Sequence, residues 1–260
     1  MHVRIKILLT LICLFCSISA FAAEVAAKVA AAANLKFPLE EIAKSFHQDT
    51  GKNVTLIFGS SGTLATQIMH GAPFELYLSA DHAHVALLHD KDLTQGKGVL
   101  YAQGRLAIMA PLKSPLKVDS NLRGLTELLK SGKLQRFAIA NPQHAPYGQQ
   151  AEMVLHKLGL WQAIQQQLVY GENVSQATQF ALSGSADGGI VALSSILSPA
   201  MANRLRYAEI DSGLYEPLQQ HMVLLNSAGT VAKDFYAHLQ QPAARAIFMH
   251  YGFAVPETDQ

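Results

Sequence analysis

Cysteine is missing from nearly all of this 260-residue chain. Both copies, Cys13 and Cys16, stand in one short N-terminal run. The remainder therefore has no disulfide, no thiol nucleophile and no thiolate metal site. Charge is scarce, at 15% of residues, and neither sign dominates, with 20 Lys+Arg against 19 Asp+Glu. Beyond the N-terminus no apolar run is long enough to span a bilayer. Low-complexity segments and obvious internal repeats are absent as well.

What the N-terminus does have is a three-part pattern. Met1 to Lys6 carries Arg4 and Lys6 and no acid, Ile7 to Ala20 is almost wholly apolar, and Ala20-Phe21-Ala22 is a small-x-small site. This predicts a secretory signal peptide over 1–22, its apolar run too short for a comfortable membrane anchor. A lipid anchor needs a small residue before its cysteine, whereas Ile12 precedes Cys13 and Phe15 precedes Cys16. Cleavage near Ala22/Ala23 leaves 238 residues with 18 basic and 19 acidic side chains, a formal charge of −1. Such a chain offers no basic field for nucleic acid or anionic lipid. Its length suits one large domain or two of about 120 residues.

Strand and helix patterns alternate along the chain. Val25 to Ala33 reads as a buried strand of small residues. Pro38 suits a first helical turn, and Leu39, Ile42, Ala43 and Phe46 follow at helical spacing to Gly51. Strands are predicted at 54–58, 75–79, 105–110, 137–140, 168–170, 190–193 and 222–225. Helices are predicted around Leu64 and Ile68, and over 125–130, 148–158, 176–182, 231–239 and 243–251. Strands separated by single helices indicate an α/β fold with largely parallel sheets.

In open α/β sheets ligands bind beyond the carboxyl ends of the strands. A helix beginning there presents unpaired N–H groups and the positive end of its dipole, which suits an anion. Four such junctions stand out: Ala31 to Leu35, Phe58 to Thr63, Ala140 to Gly148, and Tyr170 to Gln176. Each carries small residues, hydroxyls or amides, and none has Arg or Lys at its tip. One junction alone is weak evidence, since Ser60 or Ser61 can serve simply as a helix N-cap. Four neutral, donor-rich junctions fit a fully ionised small anion, because a buried Arg or Lys adds its own desolvation cost.

Several segments carry a family likeness. VAAAANLKFPLEEIAKSF, FGSSGTLATQIMHGAPFELYLSAD, IANPQHAPYGQQAEMVLHKLGLW, GENVSQATQFALSGSADGGIVALS and ARAIFMHYGF together resemble periplasmic molybdate-binding proteins of the ModA type. The resemblance runs over essentially all of 24–253. It implies the two-lobed type II fold of periplasmic binding proteins, with two mostly parallel sheets flanked by helices. The lobes would be 24–107 with 222–260, and 108–221, hinged where the strands at 105–110 and 222–225 cross. It further implies capture of molybdate or tungstate between the lobes, delivery to an ABC permease, a periplasmic monomer, no cofactor, no cation site and no reaction. Carried over by motif, the binding positions are Ala33, Asn34, Ser61, Tyr147 and Val174. Two positions depart from the commonest pattern. Many members have Ser at the place of Asn34, and many have Ala at the place of Tyr147 with a Tyr where this chain has Ala192. This chain resembles the Asn/Tyr branch, in which the tyrosine has moved to the opposite wall.

Rival readings remain at this level. Gly59-Ser60-Ser61-Gly62 lies among glycines but is not the Gly-x-Ser-x-Gly elbow of a secreted α/β hydrolase. His82, His84 and His89 suggest a transition-metal carrier, against the plainer reading of a solvated helix start. Sulfate and phosphate are the competing tetrahedral oxyanions. Phosphate keeps a proton near neutral pH, so it would gain from Glu172 if that carboxylate faced the ligand. A helix-capping or solvent-facing Glu172 is the expectation.

Overall fold

A computed structural model describes residues 26–256; the expected signal peptide lies outside them. The strands are β1 (Ala27–Ala32), β2 (Val54–Gly59), β3 (Leu76–Leu78), β4 (Val99–Gly104), β5 (Leu106–Pro111), β6 (Phe137–Ala140), β7 (Leu168–Gly171), β8 (Gly188–Ala192), β9 (Leu205–Glu209) and β10 (Leu218–Leu224). They form two five-stranded sheets, ordered β2-β1-β3-β10-β4 and β7-β6-β8-β5-β9. In the first, β2 and β3 run parallel to β1, while β10 runs antiparallel to both β3 and β4. The second repeats the scheme, with β7 and β8 parallel to β6 and β5 antiparallel to β8 and β9. Four strands of each sheet therefore share one direction and a single strand opposes them. The opposed strand is in each case the first laid down after the chain crosses between sheets.

The crossings themselves are short. β4 ends at Gly104 in one sheet and β5 begins at Leu106 in the other; the return runs from Glu209 to Leu218. The sheets thus separate at Arg105 and between 209 and 218. Arg105 Nη1 lies 3.3 Å from Glu209 Oε1, and Tyr215 Oη accepts from Leu106 N at 3.2 Å, so the two crossings are tied together.

Helices cover the sheets: α1 (Lys36–Thr50), α2 (Ser61–Met69), α3 (Ala83–His89), α4 (Arg123–Lys130), α5 (Pro146–Lys157), α6 (Trp161–Ile164), α7 (Val174–Leu182), α8 (Leu193–Ile196), α9 (Thr230–His238) and α10 (Pro242–His250). β1 shows why small residues are needed. All of it except Lys28 is buried, and its alanines let the start of α1 sit directly on the strand end. In α1, Leu39, Ile42 and Phe46 face the core at helical spacing, and Phe46 meets Phe235 edge-on at 5.1 Å. The helix stops at Gly51, whose φ of +71° is left-handed and whose N–H bonds to His47 O. Among the described residues no helix is long and apolar enough to cross a membrane.

Candidate functional site

Four helix beginnings meet between the sheets. A short 3-10 turn, Ala33–Leu35, opens α1 after β1; α2 starts at Ser61 after β2; α5 starts at Pro146 after β6; α7 starts at Val174 after β7. They bound one small cavity, about 190 Å³ including its mouth, and Ala33, Asn34, Ser61, Tyr147 and Val174 all line it. Two of its walls come from the first sheet and two from the second. Its lining contains no Lys, Arg, Asp or Glu. First-turn N–H groups have no intrahelical acceptor. Two of the four starts, after Ala32 and after Ala145, also lack a side-chain cap. With no charged side chain in the lining, the positive ends of these helix dipoles are what the cavity offers an anion.

Each polar side chain has a defined partner. Ser61 is fully buried, and its Oγ accepts from Ala80 N at 3.0 Å. Since Oγ is found only as an acceptor, its hydroxyl proton is left to donate. Tyr77 Oη donates to Ser61 O at 2.8 Å and holds the backbone in place. The cap of α2 is Ser60, which accepts from Thr63 N, so of the two serines read as capping candidates only Ser60 has that role. Tyr147 Oη accepts from Gln220 Nε2 at 3.1 Å, and Asn34 Nδ2 donates to Gln220 Oε1 at 3.1 Å. Asn34 Oδ1 is buried without a hydrogen-bond partner among the described residues. Burial pushes the Tyr147 phenol far above its ordinary pKa, although hydrogen bonds from Gln220 and Asn34 oppose this. It stays protonated, and hence a donor, across the physiological range.

The two halves are closed upon each other around this cavity. Ser175 Oγ donates to Ala33 O at 2.9 Å and Ser194 Oγ to Asn34 O at 2.8 Å. On another side, Gly62 N donates to His144 O at 2.9 Å, and His144 Nδ1 lies 2.9 Å from Ser60 Oγ. A Cβ on Gly62 would press into the His144 backbone, so the glycine allows this approach.

The chain belongs to the bacterial extracellular solute-binding protein family.

That family's model matches residues 27–254. The molybdate-binding protein ModA of Azotobacter vinelandii is 36% identical over 240 residues, covering 91% of this chain and 92% of that protein. Its counterpart in Rhodobacter capsulatus is likewise 36% identical, over 91% and 90% of the two chains. The structure of the A. vinelandii periplasmic molybdate-binding protein superposes with a TM-score of 0.81 at 32% identity, covering 89% of this chain and all of that one. The two-lobed α/β fold expected from the sequence is the fold found.

Within this family frame the other candidates fall into place. Ala192 is buried at the end of β8 and does not line the cavity, whereas Tyr147 does. Glu172 is exposed, with Oε2 3.6 Å from His144 Nε2, and no carboxylate reaches the cavity. The histidines turn to separate partners: His84 to Asp81 at 2.8 Å, His89 to Thr94 at 3.2 Å, and His82 to the ring of His221 at 4.6 Å. Among the described residues no three metal-binding side chains converge. Ser60, His144 and Glu172 line up superficially like a hydrolytic relay. Yet Ser60 Oγ donates to Thr63 Oγ1 at 2.7 Å, and 3.6 Å is too long for the His–Glu hydrogen bond such a relay needs. Sequence reasoning missed Ala80, which lines the cavity and supports Ser61, and Gln220, which touches both Asn34 and Tyr147. Gln220 stands between Gln219 and His221 in β10, so no pattern in the sequence singles it out.

Proposed function

We propose that this chain captures molybdate or tungstate in the interlobe cavity and hands it to an ABC permease. The observation that carries the reading is the convergence of four helix N-termini, two from each sheet, on one small uncharged cavity. Ser61, Tyr147 and Asn34 supply side-chain donors there; Ala33 and Val174 supply backbone N–H groups. A fully ionised tetrahedral anion can accept from all of them without donating, and the neutral lining adds no desolvation cost of its own cation. The molybdate-binding names of the relatives support the same ion. Residues around 24–107 with 222–260 act as one lobe and 108–221 as the other. Their closure over the ion is the signal that the permease reads. The protein works as a periplasmic monomer, exported by residues 1–22, with no cofactor and no chemical step.

Parallel calorimetric titration with molybdate, tungstate, sulfate and phosphate tests this. Molybdate and tungstate should bind one to one and more tightly than the other two ions. Tighter sulfate or phosphate binding, or no binding of any of the four, would overturn the assignment. Sulfate, with shorter bonds, is the nearest competitor because it shares the charge and the lack of protons. The missing carboxylate acceptor in the cavity weighs against phosphate.

A further inference from the structure

We infer that Gln220 is a positioning residue for oxyanion capture, coupling Asn34 to Tyr147 so that their donor groups face the cavity. The inference rests on the proposed oxyanion function.

Gln220 is fully buried in β10, where the pairing with β4 shifts register between Gln220 and His221. It does not line the cavity itself. Its Oε1 accepts from Asn34 Nδ2 and from Tyr101 Oη, each at 3.1 Å, and its Nε2 donates to Tyr147 Oη at 3.1 Å. A buried amide with both ends engaged is held firmly, because breaking either bond strands a polar group. The consequence for Tyr147 follows by elimination. A phenol has one proton, and here its oxygen is the acceptor toward Gln220. The proton thus points away from Gln220, and among the described residues Tyr147 Oη is found only as an acceptor.

The amides of Asn34 and Gln220 form a linked pair. Turning both end for end would let Asn34 Oδ1, which has no partner as it stands, accept from Gln220 Nε2. Gln220 Oε1 would then accept the Tyr147 proton, and the Asn34 amino group would be released from Gln220. The first pattern leaves the phenol proton and the second Asn34 N–H to donate, the other leaves both Asn34 N–H groups, and Gln220 decides between them. The network also abuts the crossing between sheets. A Cβ on Gly104, the last residue of β4, would collide with Tyr147 Oη and Gln220 Nε2. The positioning residue is thus packed against one of the two points where the chain passes between the sheets.

Two variants test the inference. Gln220→Glu replaces a donor–acceptor with a carboxylate that can only accept. It would draw the protons of Asn34 and Tyr147 inward and place a negative charge near the ligand. The titratable groups facing this position, Tyr101 and Tyr147, are both raised by burial and stay protonated. A proton taken up on binding, beyond any seen with wild type, would therefore belong to the introduced carboxyl. Gln220→Met keeps the volume and removes the hydrogen bonds. Molybdate would be titrated calorimetrically at about pH 8 and about pH 5.5, in buffers of differing ionisation enthalpy. For Gln220→Glu the expectation is about 100-fold or more weaker binding at the higher pH, with proton uptake and recovery toward wild type at the lower pH, since burial beside an anion raises a carboxyl pKa. For Gln220→Met it is about tenfold weaker binding at both, without added proton uptake. Should Gln220→Glu fail to fold, Gln220→Met decides alone. Wild-type affinity in either folded variant at the higher pH overturns the positioning role. Failure of the wild type to bind any oxyanion would instead overturn the functional reading, and this inference with it.

Discussion

Tyr147→Phe is the substitution on which the structure speaks most directly. The ring stays, so packing in the first turn of α5 is retained, and only the hydroxyl goes. Two separate costs follow. The first is in binding: Tyr147 Oη is found only as an acceptor, toward Gln220, so on the proposed reading its proton is spent on a ligand oxygen. Losing a hydrogen bond to a charged group costs about 1.5–3 kcal/mol, or more than about tenfold in affinity. The second is in stability. Gln220 Nε2 donates to that hydroxyl at 3.1 Å inside a fully buried network. Removing the acceptor strands it, at about 1–3 kcal/mol, unless Gln220 turns to another partner. The free protein should therefore melt several degrees lower. Its ligand-induced rise in melting temperature should also shrink, because the stabilisation follows RT ln(1 + [L]/Kd). Calorimetric titration with molybdate and melting curves with and without ligand separate the two. Equal molybdate affinity for wild type and variant would refute the donor role of the phenol, whatever happened to stability.

Further expectations follow from named contacts. Ser61→Ala should weaken molybdate binding by about 1.5–3 kcal/mol in calorimetry. It should also lower the melting temperature of the free protein, since Ala80 N loses its acceptor; unchanged affinity would show that the hydroxyl serves Ala80 alone. Gly104→Ala should destabilise by about 1–3 kcal/mol in denaturant unfolding through overpacking, and should impair binding as well, because the added methyl meets Tyr147 and Gln220. The Asp119 carboxyl is raised by burial, but the N–H groups of Gly124, Arg123 and Asn121 and the Arg123 charge outweigh this and hold it below its ordinary 3.8. Its contribution to stability is present above that value and is lost as pH falls through the depressed one. Asp119→Ala should thus cost about 1 kcal/mol at neutral pH and nothing in strong acid, as read by chemical unfolding at both. N-terminal sequencing of exported protein should begin at Ala23 or Glu24, and an intact 1–22 in a membrane fraction would count against the soluble carrier.

Much of the architecture was legible because the central strands are apolar and their helices are punctuated. β3, β6 and β8 are short runs buried throughout, and β1 is buried but for Lys28, so all four read plainly as strands. α1 runs to Gly51 as its pattern predicts, with Gly51 in the left-handed conformation that closes a helix. β4 and β9 were not legible. Both are edge strands in which exposed and polar residues interrupt the apolar pattern, as in Leu205–Glu209. The apolar pattern marks β10 only from Met222, yet the strand begins at Leu218, because Gln219, Gln220 and His221 hide it in a polar stretch. Leu193, read as the end of a strand, instead opens the short helix α8.

What the sequence determined by itself was local: alternation of strand and helix, and donor-rich, uncharged helix starts. These depend on a residue and its near neighbours, where steric preference and periodicity act. What only the tertiary structure decided was which of those groups face one another. That Ser60 caps while Ser61 keeps a free proton depends on Ala80, nineteen residues away. That Glu172 stays in solvent, and that Tyr147 turns its oxygen toward Gln220, depends on how two sheets close across a pair of crossings. A hydrogen bond needs its partners within about 3 Å and in line, a condition set by packing of distant segments and invisible to spacing along the chain.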